Sequence, residues 1–221
     1  MKIALIGNGK MGKKINELAS QKGHFIVCCS DSKTPIETLD LSNADVAIDF
    51  STPDSAFKNI THAIYCNLPV ISGTTGWLDR KSEIEDLCIQ KKGAFLYSSN
   101  FSIGVNIFFQ LNKNLAKLMQ QHQYDCTINE IHHTDKIDSP SGTAITLKQD
   151  IDTINHKNII VTSQRVKDTV GTHQINYSSF NDEIEIKHTA TNREGFAKGA
   201  ILAAEWIIGK SGVFNMNDII K

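Results

Sequence analysis

Apolar and polar residues alternate along this chain in two rhythms, and the change of rhythm divides it. Through the first hundred residues, short apolar runs alternate with stretches whose apolar positions recur every three or four residues. The runs at 2–6, 25–29, 45–50, 68–71 and 95–97 predict buried strands of a parallel sheet. Between them, Met11, Ile15, Leu18 and Ala19, then Ala56, Ile60, Ala63 and Ile64, then residues 83–90, predict helices. Pro53 stands at the start of the second of these, where its fixed φ is favourable. Residues 32–43 read as a short polar connection. Alternation this regular predicts a doubly wound α/β domain.

Beyond residue 102 the rhythm changes. Residues 103–121 predict one long helix with Val105, Phe108, Leu111, Leu115 and Leu118 on or near one face. Residues 125–133 predict a strand that turns Ile128, Glu130 and His132 to one side and Asn129, Ile131 and His133 to the other. Ala144, Leu147, Ile151 and Ile154 mark another helix. The runs at 159–161, 166–170, 174–180 and 183–188 then follow one another without helices, the pattern of an antiparallel meander. A last helix is predicted over 196–208. The expected fold is a Rossmann-type α/β dinucleotide-binding domain over 1–102 plus 195–221. An α+β domain over 103–194, with a mixed and largely antiparallel sheet, is inserted into it as the substrate domain.

Composition narrows the function classes. With 221 residues, 40% hydrophobic and 21% charged, the chain has the make-up of an ordinary soluble globular protein. Its formal net charge of −1 supplies no field to draw it to nucleic acid or an anionic membrane, so neither partner is expected. No apolar run approaches the roughly 20 residues a membrane span needs. The N-terminal apolar run is too short for an export signal and passes into glycines, so a cytoplasmic location is expected. The five cysteines contain no CxxC pair and read as structural thiols of a reducing compartment.

Two places carry candidate chemistry. The first is the turn Gly7-Asn8-Gly9-Lys10-Met11-Gly12, between the first predicted strand and helix, followed by Asp31 at the tip of the second strand. Glycines let the backbone approach a pyrophosphate, a helix N-terminus offers free N–H groups, and the acid takes ribose hydroxyls. A tight turn without a ligand is the alternative. Gly73, Thr74 and Thr75 form a second small loop after a strand, read either as a ligand contact or as an ordinary turn.

The second place is the run 130–144, EIHHTDKIDSPSGTA. His132, His133 and Lys136 offer groups able to move protons near neutrality. Ser141, Gly142 and Thr143 read as the start of a helix, fit either for simple capping or for holding a carboxylate. His132, His133 and Asp135 are metal-ligand types, but adjacent strand residues point opposite ways and the spacing matches no zinc pattern, so no metal is expected.

This run resembles the signature of the dihydrodipicolinate reductase (4-hydroxy-tetrahydrodipicolinate reductase) family of the lysine pathway. GNGKMG at 7–12, DFSTP at 49–53, GTTG at 73–76, SSNFSIGVN at 98–106, RVKDTVGTH at 165–173 and HTATNREGFAKGA at 188–200 resemble further family blocks in family order. The resemblance implies an NAD(P)H-dependent oxidoreductase that reduces a cyclic imine dicarboxylate to tetrahydrodipicolinate in lysine and diaminopimelate biosynthesis. It implies proton transfer by His132 and Lys136, with substrate binding by His133, Gly142 and Thr143. Cofactor contacts are implied at the glycine turn, Asp31, Gly73–Thr75, Ser98, Ser99, Asn100 and Phe101. A homotetramer assembled through the second domain is implied as well. Arg193 corresponds to a family arginine near the site, or else forms an interdomain salt bridge.

The sequence departs from the family in three places. The segment between Asp31 and Asp45 is short, the glycine turn has one residue fewer, and Gly171-Thr172-His173 replaces a GEH. Asp31 favours NADH because it repels a 2′-phosphate, whereas Lys10 and Lys33 offset that charge; NADH and NADPH are both expected to serve. The rival readings are another two-domain Rossmann dehydrogenase, which turnover of the cyclic imine excludes, and a non-catalytic dinucleotide-sensing module, which binds cofactor without turnover.

Overall fold

The computed structural model describes residues 1–155 and 159–220; residues 156–158 and 221, inside the spans expected for the two domains, lie outside the described set. Its contacts divide the chain into two compact units, Met1–Ser102 with Phe196–Lys221, and Ile103–Gly195.

The first unit opens with β1 (Lys2–Ile6), α1 (Lys10–Gln21), β2 (Phe25–Ser30), β3 (Val46–Asp49) and α2 (Pro53–Tyr65), and continues with β4 (Val70–Ser72), α3 (Lys81–Gln90) and β5 (Ala94–Tyr97). The second unit contains α4 (Ile103–Met119), β6 (Asp125–His132), α5 (Gly142–Asn155), β7 (Ile160–Arg165), β8 (Gly171–Ser178) and β9 (Glu183–Ala190). Then α6 (Glu194–Ile207) leads to β10 (Gly212–Phe214).

Among the described residues, the first unit's sheet has the order β10-β5-β4-β3-β1-β2, with every pairing parallel. Strand residues alternate between two cores. Ile3, Leu5 and Ile48 pack with Ile15, Leu18 and the small residues of α6 on one face. Ala4, Ile6 and Ala47 pack with Ala56, Ile60 and Ile84 on the other. The sheet is therefore buried on both sides, which is why its strands read as continuous apolar runs. The small residues of α6 allow close approach: a Cβ on Gly199 would fall 1.8 Å from the Phe101 carbonyl oxygen. Chain order reverses beside β1, so the carboxyl edges of β1, β2 and β3 flank a topological switch point, the usual ligand position in such sheets.

The second unit's sheet is mixed, ordered β7-β6-β8-β9. β7 pairs parallel to β6, while β8 pairs antiparallel to both β6 and β9. The expected meander is thus corrected at β7. The 14-residue α5 returns the chain for a parallel crossover, and β8 then takes the other side of β6. The run at 166–170 is not a strand. Val166 is exposed and Asp168 has φ +61°, so the chain turns there. A further correction concerns α4. Val105, Phe108, Asn112, Ala116 and Met119 are buried, while Leu111 and Leu118 are 48% and 72% exposed. The buried stripe faces Ile128, Leu147, Ile151 and Tyr177.

Candidate active site

In the first unit, backbone geometry makes a cradle at the switch point. Gly7 has φ +101°, and a Cβ there would lie 2.2 Å from the Phe50 carbonyl oxygen. A Cβ on Gly12 would lie 1.9 Å from the Gly7 carbonyl, so Gly12 lets α1 seat against the turn. Gly9, the N-cap of α1, has nothing within 4 Å of an added Cβ. Its position offers no capping side chain and the first turn carries no acid, so the helix N–H groups face open space with their partial positive charge. A cavity of about 640 Å³ lies here, lined by Gly7, Asn8, Gly9, Asp31, Phe50 and Ser51 among others. These features fit the pyrophosphate and ribose of a dinucleotide. Lys13 and Lys58 also line the cavity, whereas Lys10, Met11 and Gly12 do not. Asp31 Oδ1 accepts the N–H groups of Lys33 and Thr34, both at 2.9 Å, which fixes its loop.

The other predicted cofactor residues do not line this cavity. The Thr74 hydroxyl donates to Asp49 Oδ2 at 2.8 Å and accepts the Ser51 N–H at 2.9 Å. Ser51 and Ser72 hydroxyls reach the same buried Asp49 carboxylate at 2.5 and 2.7 Å. Burial pushes the Asp49 carboxyl above its ordinary pKa, although these three hydroxyls pull the other way. Thr74 is thus a brace between the β3 and β4 loops. A Cβ on Gly73 would meet the Phe50 ring at 2.3 Å, while Thr75 is exposed. The Ser98 hydroxyl donates to the Asn100 carbonyl at 2.7 Å, Ser99 is exposed, and Phe101 is buried with its ring 5.6 Å from that of Phe50.

In the second unit, alternation along β6 buries Cys126, Ile128, Glu130 and His132. Glu130 is fully buried. The register sets it opposite Ser163 of β7 and His173 of β8, and sets His132 opposite Arg165. His132 Nδ1 lies 3.4 Å and His173 Nε2 3.6 Å from Glu130 Oε2, while Arg165 Nη2 donates to Oε1 at 3.5 Å. The Ser141 N–H donates to both carboxylate oxygens, at 3.0 and 3.1 Å. Burial alone raises the Glu130 carboxyl, but hydrogen bonds from His173, Ser141 and Ser163 outweigh it and hold the group well below the carboxylate range. Burial lowers His132 to about 4, reinforced by His173, Lys136 and Arg165 and opposed by Glu130. At neutral pH the ring is uncharged.

Ser141 is the N-cap of α5: its Oγ accepts the Ala144 N–H at 3.2 Å and lies 3.1 Å from His173 Nε2. A Cβ on Gly142 would meet nothing within 4 Å, so the helix start is open at that point. Thr143 is half-buried in the first turn. His133 is half-buried just past the end of β6, and its carbonyl accepts the Lys136 N–H at 3.2 Å. The Lys136 ammonium pairs with Asp138 at 2.8 Å. Arg165 donates to the Lys136 and Asp138 carbonyls at 3.2 and 2.5 Å and so pins this loop. Arg193 is exposed.

Sequence reasoning gave no role to Glu130, His173 or Arg165. The signal for Glu130 was present, since a carboxylate between Ile128 and His132 on a buried strand face requires partners. Those partners come from β7 and β8, and sequence spacing does not locate them. Among the described residues, Glu130, His132 and His173 place donor atoms within 4.8 Å of one another. A guanidinium and an N–H are also turned to the Glu130 carboxylate.

Residues 1–101 match the family model for the N-terminus of dihydrodipicolinate reductase, and residues 104–220 match that for its C-terminus. The chain is 46% identical to a 4-hydroxy-tetrahydrodipicolinate reductase of Christiangramia forsetii, over all of this chain and 98% of the relative. It is 37% identical to one of Thermosipho africanus, again over all of this chain and 98% of the relative. A solved structure of dipicolinate-bound dihydrodipicolinate reductase from Paenisporosarcina sp. TG-14 shares the fold with a TM-score of 0.78 at 21% identity, over 99% of both chains.

Proposed function

The chain belongs to the dihydrodipicolinate reductase family, and on that premise we propose how its own residues carry the reaction. The activity is the NAD(P)H-dependent reduction of the cyclic imine dicarboxylate to tetrahydrodipicolinate in lysine and diaminopimelate biosynthesis. When bound, the nicotinamide supplies the hydride. The observation that carries the assignment of roles is the clustering of His132 and the start of α5 about one buried carboxylate.

In this reading the Gly7–Gly9 turn and the α1 N-terminus hold the pyrophosphate, and Asp31 takes the adenosine ribose hydroxyls. Both nucleotides serve, with NADH favoured because Asp31 repels a 2′-phosphate while Lys13 in the cavity wall moderates that repulsion; Lys58 is already paired with Glu37. Gly142 and Thr143 offer N–H groups and a hydroxyl to one substrate carboxylate. His133 makes a second substrate contact. Reduction replaces the C4 hydroxyl, lost as water, with hydride and requires one proton, which His132 and Lys136 deliver. A dicarboxylate beside His132 stabilises its charged form, so substrate binding raises the imidazole toward working pH.

The reading includes the functional division of the chain into a dinucleotide-binding unit and a substrate-binding unit. It also includes a cytosolic homotetramer built through the second unit's sheet, supported by exposed Ile160, Phe180 and Ile184 on or beside its strands. No described helix is long and apolar enough to cross a membrane.

A steady-state assay with the enzymatically generated cyclic imine and each nucleotide tests the proposal. His132→Ala or Lys136→Ala lowers kcat by roughly 10²–10⁴-fold, the range for loss of a general acid, with NADH affinity retained. Thr143→Val raises the KM for the imine. Unchanged turnover in both of the first two variants refutes the proton-transfer assignment.

A further inference from the structure

Glu130 has no part in the chemistry assigned above, yet it is fully buried. Burying a carboxylate costs several kcal/mol unless neighbours compensate it. Here the compensation comes from three other elements around the site. β7 supplies Arg165 and Ser163, β8 supplies His173, and the start of α5 supplies the Ser141 N–H. The Ser141 hydroxyl closes a ring by meeting His173 Nε2 at 3.1 Å. The guanidinium that meets Glu130 also holds the carbonyls of Lys136 and Asp138.

His132 Nδ1 is buried and makes no hydrogen bond among the described residues; Glu130 Oε2 stands 3.4 Å from it. A carboxylate at that position favours the tautomer with the proton on Nδ1. The mobile proton is then handled at Nε2. A Cβ on residue 171 would lie 3.1 Å from this atom, and Gly171 leaves that space clear.

We propose that Glu130 is a positioning residue for the reduction: one buried carboxylate orients the His132 ring through Nδ1 and fixes the substrate-carboxylate turn through the Ser141 N–H, so that proton donor and substrate anchor share one register. The inference rests on the roles given above to His132 and to the α5 start. It differs from a structural staple in its consequences. A staple contributes to stability alone, whereas a positioning residue sets the tautomer of His132 and the geometry of substrate binding.

The test is a double-mutant cycle between Glu130→Gln and His132→Asn, read by kcat, by KM for the cyclic imine, by the pH profile of kcat/KM, by NADH affinity and by Tm. Glu130→Gln keeps the shape and removes the charge. The expected result is a kcat lower by roughly 10–100-fold, the scale of a displaced reacting group, and a raised KM with NADH affinity unchanged. The inflection belonging to the imidazole moves to lower pH, because the carboxylate that favoured the imidazolium is gone. In the His132→Asn background, Glu130→Gln still raises KM but hardly lowers kcat further.

Fully multiplicative losses in kcat overturn the proposal, as does a Glu130→Gln enzyme with a lowered Tm but normal kcat, KM and pH profile. If His132→Asn alone leaves kcat intact, the assignment of His132 has failed, an outcome distinct from failure of the Glu130 role. Should Glu130→Gln not fold, Glu130→Asp, which retains the charge and shortens its reach, is read by the same measurements. Normal kcat and KM in that variant overturn the proposal equally.

Discussion

Acid should unfold this protein earlier than its carboxylates alone require, because it buries a neutral histidine. In the unfolded chain His132 takes up its proton near 6.5, and in the fold it does so at about 4. Between those values the unfolded state binds more protons, so stability rises with pH and is lost as pH falls through the window. At about 1.4 kcal/mol per pH unit, the loss from this one side chain over the whole window is roughly 3–3.5 kcal/mol. Only 8% of His132 is exposed, so solvent screening reduces that figure little. Burial lowers His188 as well, which acts in the same direction. Glu130, held below its ordinary value, adds its own loss once pH falls through that ordinary carboxylate value and beyond it. Against a total stability of roughly 5–15 kcal/mol, the His132 contribution alone moves a denaturation midpoint visibly. Urea unfolding followed by far-ultraviolet circular dichroism from about pH 7 to about pH 4.5 measures it. His132→Asn provides the control, since it removes the titrating ring and flattens the dependence. A midpoint independent of pH across the window refutes the reasoning, as does an equally steep dependence in His132→Asn.

Three further outcomes follow from particular contacts. Gly171→Ala places a Cβ 3.1 Å from His132 Cδ2 and Nε2, and the ring already packs edge-on against His173 at 5.0 Å; kcat should fall about tenfold, a change of about 1.4 kcal/mol in barrier, and an unaltered kcat contradicts the placement. Asp31→Asn keeps the acceptor for the Lys33 and Thr34 N–H groups but removes the charge; the NADPH-to-NADH ratio of kcat/KM should rise by on the order of tenfold, and a constant ratio means Asp31 does not meet the ribose. Asp49→Ala strips the Ser51, Ser72 and Thr74 hydroxyls of their shared acceptor; thermal unfolding should register a loss of about 2–4 kcal/mol with a raised KM for the nucleotide, and a normal Tm sinks the brace assigned to it.

Much of the fold was legible because local and tertiary demands agree. The run 2–6 reads as a strand and is one, since both faces of β1 are buried and no residue has to be polar. Pro53 marks the start of α2 because its missing N–H is harmless there. Legibility fails where contacts are distant. β10 has three residues, too few to show a period, and is a strand because β5 has a free edge to pair with it. Leu111 and Leu118 look like core residues by spacing and are exposed, because the packed stripe of α4 runs through Asn112 and Ala116 instead. Asn112 is tolerated inside because its amide donates to the Leu147 carbonyl at 3.1 Å. Val166 and Val170 carry strand propensity, but Asp168 in the left-handed region ends the extended run between them.

The candidate site divides along the same line. His132, Lys136 and Ser141–Thr143 are visible in the sequence because they sit within one short run whose residue types announce proton transfer and anion binding. What governs those groups is not in that run. His132 is neutral because β7 and β8 exclude water from it and bring His173 and Arg165 beside it, and Glu130 can remain ionised because the same strands and the α5 start surround it with donors. Residue types therefore specify which groups can act, whereas strand register specifies their charge, tautomer and direction. A relative that kept the 130–144 run but shifted β8 by one residue would turn His173 to the opposite face of the sheet. It would retain the recognisable motif while losing the environment in which His132 holds its proton.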